Sequence, residues 1–383
     1  MITCEVLIAG GGPAGSACAW KLRQAGMDVL VIDKAEFPRD KVCAGWITPH
    51  VVDALRIDPD DYRDGRTFQP ITGFRIGVIG VPGCTDVTYD KPVSFGIRRC
   101  EFDQYLLRRS NARLLLGTPV THIRRDGAAW VINDAVRAPV LIGAGGHFCP
   151  VARFLNGEAV APPVVAAQEA EFVAEPRDEW PIAAERPELY FCADLEGYGW
   201  CFRKAEYLNI GFGRFAARAL PKSSAAFVDY LKANGRIPSH GSWRWRGHAY
   251  LVSSRVTRKA VDDGVLLVGD AAGIADPRSG EGILPAIESG LIAASTILEA
   301  DTRYTRDQLV SYEQRVKKRF GEGAVGAALS RLSRAAVPPP VGLHLMRKAW
   351  FVRLVVLDCW FLHASRGVIG ARHSNGNAVL RRH

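Results

Sequence analysis

Two short apolar runs, within residues 5–9 and 28–33, flank a stretch from Pro13 to Ala25 with a helical pattern. Continuous rather than alternating apolar runs mark strands buried on both faces of a parallel sheet. The opening therefore predicts a strand–helix–strand unit. Over residues 71–95 the pattern changes to alternation broken by Gly, Pro and Thr, as in an antiparallel sheet. A helix is expected over 101–109, and apolar strands at 114–116 and 140–142. Residues 164–254 again read as β-rich, and 265–268 form a buried strand leading through glycines into a helix over 282–298. Beyond Arg303 the pattern is helical, and prolines at 338–340 break it before a final aromatic, basic helix.

Nucleotide-binding elements recur at 5–33, 140–146 and 265–298. The predicted fold class is therefore α/β: a discontinuous Rossmann-like domain (1–70, 97–160 and 255–303), an inserted β-rich domain (71–96 and 161–254) and a C-terminal helical region (304–383). A chain of 383 residues is long enough to bury such a core.

Composition narrows the function. The chain is 48% hydrophobic and 23% charged with a formal net charge of +9, a balance that suits an anionic cofactor, substrate or surface. No zinc-finger spacing or RNA-binding motif accompanies the charge, so nucleic acid is not an expected partner. The nine cysteines include no C-x-x-C pair, which predicts free thiols in a reducing compartment and no metal site. The N-terminus lacks a basic, cleavable leader, and the apolar stretch 350–362 is interrupted by Arg353 and Asp358, too short to span a bilayer. A cytoplasmic protein is expected.

Gly10-x-Gly12-x-x-Gly15 directly follows a strand and opens a helix, and Asp33 ends the next strand. Gly10 permits a tight turn, Gly12 lets backbone N–H groups approach a diphosphate, and Gly15 lets the helix pack against the sheet. Pro13 and Ala14 start the helix that faces the diphosphate. Asp33 accepts from ribose hydroxyls, with Lys34 beside it. This motif serves NAD and FAD alike. The segment 265–290 selects flavin: Gly269-Asp270-Ala271 places a carboxylate at a strand end for a ribityl hydroxyl, Pro277 turns the chain, and Gly280, Gly282 and Ile283 aim a helix N-terminus at what lies in front. A reduced isoalloxazine carries negative charge there, favoured by about 0.3–1 kcal/mol at a helix N-terminus.

Paired in this way, G-G-G-P-A-G with Asp33 and G-D-A-A-G-I-A-D-P-R-S-G-E-G-I resemble the FAD-dependent superfamily of aromatic hydroxylases, flavin halogenases and geranylgeranyl reductases, over residues 1 to about 300. FPRDKVCAGW (37–46) and YGWCFRK (198–204) resemble the K-x-C-G-G and Y-x-W-x-F-P-K elements of the geranylgeranyl reductase-like group. The resemblance implies a Rossmann-like FAD domain with an inserted antiparallel sheet as the substrate wall. It puts Lys41, Cys43, Ala44 and Arg99 against the cofactor. Gly143, Ala144 and Gly145 stand at the middle fingerprint, where related hydroxylases have G-A-D-G. Losing that acid removes a residue tied to NAD(P)H engagement, so reduction would need transient NAD(P)H docking or a flavin reductase partner. Arg203 replaces the Pro and Ala44 a Gly of the group's elements. Trp243-x-Trp245 superficially resembles a halogenase motif without its Ile-Pro, and reads as a strand face.

Cys43, Tyr198 and Trp200 are the catalytic candidates. A thiol near the flavin would relay protons, the alternative being a small buried cysteine. Tyr198, Trp200 and Phe202 share one strand face, suited to an apolar or planar substrate or simply to a sheet core. Trp46 walls the cavity or belongs to the core. Arg203 or Lys204 would hold an anionic head group, unless both are solvated. The C-terminal segment 343–366 either lies on a membrane surface or packs on the domain junction. The expected function is FAD-dependent reduction or desaturation of a carbon–carbon bond in an apolar or polyketide-like, lipid-like small molecule. Alternatives are a monooxygenase or halogenase, and a non-catalytic escort protein of the same architecture.

Overall fold

The structure, a computed structural model, describes residues 1–157, 165–174, 181–215, 217–238, 243–250, 258–276, 279–320, 339–364 and 366–367. Its α/β half is a six-stranded sheet in the spatial order 261–262, 265–267, 140–143, 6–9, 29–32, 113–115. All neighbours are parallel except the antiparallel edge pair 261–262/265–267. Val6–Ala9, Val29–Ile32 and Val140–Gly143 are buried at every position, the reason they read as unbroken apolar runs. Helices Pro13–Gln24 and Ile283–Glu299 pack against each other, close enough that a Cβ on Gly290 would stand 2.2 Å from the Ala14 carbonyl oxygen. A separate small sheet, strands 2–3, 136–138, 129–132 and 123–126, was not expected from the sequence.

The second large sheet has seven strands, in the order 246–250, 165–173, 207–214, 197–204, 188–191, 73–78, 81–88. It departs from the expected antiparallel sheet at one join, Glu188–Phe191 against Gly73–Val78, which runs parallel. Helix Leu220–Ala233 also lies inside the region read as β-rich. Its buried Leu220, Ser224, Phe227 and Leu231 have helical spacing, with a serine in one core position. That helix rests on the sheet where Gly199 leaves room for Phe227.

The tail is helical as expected, though not uniformly. Helices Arg306–Leu309 and Ser311–Phe320 pack near the Rossmann-like sheet, and Pro339–Leu345 and Ala349–Phe351 lead into a π-helix, Val352–Phe361. Val352, Val356, Leu357 and Phe361 enter the core of the seven-stranded sheet. Packing on the junction is thus real for one face of this segment. No helix among the described residues is long and apolar enough to cross a membrane.

Candidate functional site

The two sheets enclose a cavity of about 1970 Å³. Pockets for a single small molecule hold roughly 300–1,000 Å³. The space therefore suits a dinucleotide with a second ligand beside it.

One end is the glycine turn. Gly10 has φ +122°, open only to glycine without strain, and a Cβ there would lie 2.4 Å from the Ala144 oxygen. A Cβ on Gly15 would reach 2.0 Å from the Gly10 oxygen, so Gly15 is a packing residue. Gly12 differs: its nearest contact would be Arg39 at 3.4 Å, and it lines the cavity. Asp33 accepts from the backbone N–H of Gly11 at 2.7 Å and of Ala35 at 2.9 Å, which fixes the carboxylate at the cavity wall.

The floor is electropositive. Arg99 is 8% exposed and makes a two-point contact with Asp103, at 2.9 and 2.8 Å, while Arg39 reaches the same carboxylate at 3.3 Å. Burial opposes the Arg99 charge, but Asp103 and the facing Cys43 sulfur raise its pKa. Lys41 Nζ lies 2.5 Å from His248 Nε2. Burial lowers Lys41 to about 8 despite Asp270, and burial with Lys41 as neighbour lowers His248 to about 3, so the imidazole stays neutral. His147 is lowered too, by burial and then Arg258, and its Nδ1 is buried without a protein partner. Cations crowded beside two helix N-termini, with an unanswered polar atom, fit the diphosphate and ribityl part of FAD.

The opposite end is apolar and aromatic. Trp46 stacks on Phe361 with centroids 5.3 Å apart, and Phe361 meets Tyr198 edge-on at 5.5 Å. Trp200 lies over Gly211, where a Cβ would stand 2.0 Å from the indole, and donates to Asn209 Oδ1 at 2.8 Å. Tyr198 donates to the Ser279 carbonyl at 2.6 Å, tying the sheet to the loop before helix Ile283–Glu299. Trp46 Nε1 and Thr48 Oγ1 are buried in this wall without a protein partner.

Between the two ends hangs Cys43. Its backbone N–H donates to Glu169 Oε2 at 2.8 Å, its carbonyl accepts from Asn209 Nδ2 at 3.2 Å, and its sulfur accepts from the Gly45 N–H at 3.4 Å. Lys204 is fully buried and donates to the Ala44 and Ile97 carbonyls and, at 2.7 Å, to Glu171. Gly45 and Gly96 leave the space through which Lys204 passes.

Most of the predicted residues converge. Gly10, Gly12, Pro13, Ala14, Asp33 and Lys34 line the cavity from one side, and Lys41, Cys43, Ala44 and Arg99 from below. Ala144, Gly145, Gly269 and Asp270 lie along its length, and Gly280, Gly282, Ile283, Tyr198 and Trp200 at the apolar end. Gly15, Gly143 and Ala271 do not reach it: each sits behind the wall, packed on backbone or core side chains. Pro277 lies outside the described residues. Lys204 is corrected as a head-group ligand, because it is spent on Glu171 and two carbonyls. Arg203 does not line the cavity either, since neighbouring strand positions face opposite ways. Trp243 and Trp245 precede strand Arg246–Tyr250 rather than belonging to it, and Trp243 stacks on Phe172 away from the cavity. Sequence reasoning missed Arg39, Thr48, His147, Glu169, Asn209 and His248. Glu169 and Asn209 show as polar positions inside apolar strands, but nothing local pairs them with Cys43, 126 residues from Glu169.

Residues 8–57 match the NAD(P)-binding Rossmann-like domain family. Over 302 residues the chain is 31% identical to an uncharacterized protein of Methanosarcina barkeri, covering 76% of this chain and 74% of that one. It is 29% identical to a menaquinone reductase of Mycolicibacterium smegmatis (76% and 75% covered) and 26% identical to a digeranylgeranylglycerophospholipid reductase of Methanocaldococcus jannaschii (83% of each). In fold it matches a geranylgeranyl bacteriochlorophyll reductase-like protein of Thermoplasma acidophilum, with TM-score 0.76, 22% identity and 90% and 91% of the chains covered. A mutant of the halogenase PltM in complex with FAD gives TM-score 0.70 at 18% identity, over 91% and 79%. The chain shares the fold of these reductase-like and halogenase proteins. It belongs to the same family as the Methanosarcina barkeri protein.

Proposed function

We propose that the enzyme reduces carbon–carbon double bonds in a lipid-like, isoprenoid-type chain. The carrying observation is the continuity of the dinucleotide cradle with a deep aromatic and aliphatic end, walled by Trp46, Tyr198, Trp200, Met346, Phe351 and Phe361. Burying an alkyl chain against that wall gains about 0.8 kcal/mol per methylene. The names of the menaquinone and digeranylgeranylglycerophospholipid reductases support the same class.

In this reading Gly12, Asp33, Lys41, Arg99 and Asp270 would hold the FAD. When bound and reduced, it supplies the electron pair, as hydride, to one alkene carbon. The other carbon needs a proton. Cys43 would give it, its sulfur lining the cavity against the Arg99 side chain. Tyr198 and Trp200 form the wall that orients the chain, and the aromatic lining excludes water. The position of Trp243 outside the cavity weighs against halogenation.

The test is anaerobic turnover of the dithionite-reduced holoenzyme with a digeranylgeranyl phospholipid or a menaquinone, read by mass spectrometry. Products gaining two hydrogens per double bond are expected. Cys43→Ser should keep the bound-flavin spectrum and slow turnover at least about tenfold. Stoichiometric oxygen uptake giving a hydroxylated or halogenated product would overturn the reading.

A further inference from the structure

The segment that closes the apolar end of the cavity leaves one of its own faces uncovered. While Val352, Val356, Leu357 and Phe361 enter the sheet core, Trp350 and Leu354 remain 59% and 57% exposed, and Val341 upstream 49%. Trp350 and Leu354 are four residues apart on a helical stretch and so share a face. Isolated exposed apolar residues are ordinary on a protein surface. These are set apart by what lies behind them. Leu354 also lines the cavity, as do its neighbours Phe351, Val355 and Cys359. A side chain that meets both solvent and the cavity interior stands on the rim of an opening.

The surroundings of that rim are cationic. Arg347 and Lys348 are exposed immediately before Trp350, and among the described residues neither has an acidic partner. Arg353, beside Leu354, lies over the Tyr89 ring at 4.9 Å. The one carboxylate in 339–364, Asp358, accepts from the Tyr89 hydroxyl at 2.7 Å. Aliphatic and tryptophan tips among Arg and Lys match the boundary layer of an anionic bilayer, where indole rings settle and basic side chains reach phosphates.

We propose that this rim is a membrane-docking portal. Val341, Trp350 and Leu354 enter the headgroup–acyl boundary of an anionic leaflet, Arg347 and Lys348 engage its phosphates, and a lipid chain passes Leu354 into the cavity without crossing water. The docking follows from the surface alone; the cargo rests on the function proposed above.

The experiment uses the FAD-loaded full chain with sucrose-loaded vesicles, either pure phosphatidylcholine or phosphatidylcholine mixed with phosphatidylglycerol. Sedimentation with the phosphatidylglycerol vesicles is expected, weakening as salt rises. The double change Trp350→Ser, Leu354→Ser should lower partitioning about tenfold or more with the bound-flavin spectrum unchanged. Arg347→Gln with Lys348→Gln should lower it on anionic vesicles and flatten the salt dependence. Wild-type protein that stays in the supernatant with both vesicle types overturns the proposal, as do variants that bind like wild type. A wild-type dimer that Trp350→Ser, Leu354→Ser splits also overturns it, since a second copy would then cover the face. If vesicles capture the protein but no double bond is reduced, the function falls and the docking stands. If detergent-dispersed lipid is reduced while vesicles are ignored, only the docking falls.

Discussion

Replacing Glu169 by Gln probes the buried acid from which Cys43 hangs. Glu169 is 6% exposed, and burial pushes its carboxyl up to about 7 against the opposing contacts of Asn209, Lys204 and the Cys43 N–H. Glu171 goes the other way: burial would raise it, but Lys204 at 2.7 Å holds it low. Below about pH 7 the pair therefore carries one negative charge, on Glu171, and the proton sits on Glu169. A rise from 4.5 to about 7 corresponds to ~3 kcal/mol at 1.36 kcal/mol per pKa unit. The folded chain holds this proton more tightly than the unfolded one. The contribution is therefore complete below pH 4.5, declines as pH rises, and is gone above about 7. Gln cannot titrate, yet its carbonyl oxygen can accept from both Cys43 and Asn209. Urea unfolding of wild type and Glu169→Gln across pH 4.5 to 8 should show the variant gaining on wild type by ~3 kcal/mol, nearly all of it below pH 7. Stability curves that stay parallel through that window would refute a protonated Glu169. Ionising Glu169 beside Glu171 also strains the support of Cys43, so wild-type turnover should fall above pH 7 while the variant's profile is flatter.

Two glycines of the turn, Gly12 at the cavity and Gly15 behind its wall, should respond differently to a methyl group. Gly12→Ala, with only the Arg39 guanidinium in contact at 3.4 Å and an ordinary φ of −73°, should fold normally but weaken FAD binding at least about tenfold, measured by flavin titration of the apoprotein. Gly15→Ala, with its Cβ 2.0 Å from a backbone oxygen, should lower the stability of the apoprotein itself, read by thermal unfolding without FAD. Asp103→Ala strips the buried Arg99 of its two-point partner and should cost about 3–5 kcal/mol in denaturant unfolding, the range for an orphaned buried charge.

Much of the Rossmann-like half was legible because its signals are local. A strand buried on both faces is an apolar run, as in Val6–Ala9 and Val140–Gly143, and its turn needs glycine at Gly10 and Gly15 whatever the rest of the chain does. Gly143 and Ala271 lie one step behind the lining: Gly143 packs against Leu267 and Val151 and Ala271 is fully buried, while their neighbours Ala144 and Asp270 line the cavity. Helix Leu220–Ala233 had the right spacing but lay within strongly strand-forming flanks, and Ser224 diluted its apolar face.

The sequence by itself determined the glycine turn, the carboxylate at Asp33, the helix start at Gly282 and the aromatic face of strand Gly197–Lys204, since each is written in neighbouring residues. Only the tertiary structure decided that Lys204 is spent in the core rather than on a substrate. It alone joined Glu169 to Cys43, set His248 on Lys41, and turned the C-terminal π-helix into the wall and rim of the apolar cavity. Those pairings link residues 33 to 207 positions apart in the chain. Which partner a buried charge finds at such a separation is fixed by the packing of two sheets and a tail, and spacing within any one segment does not encode it.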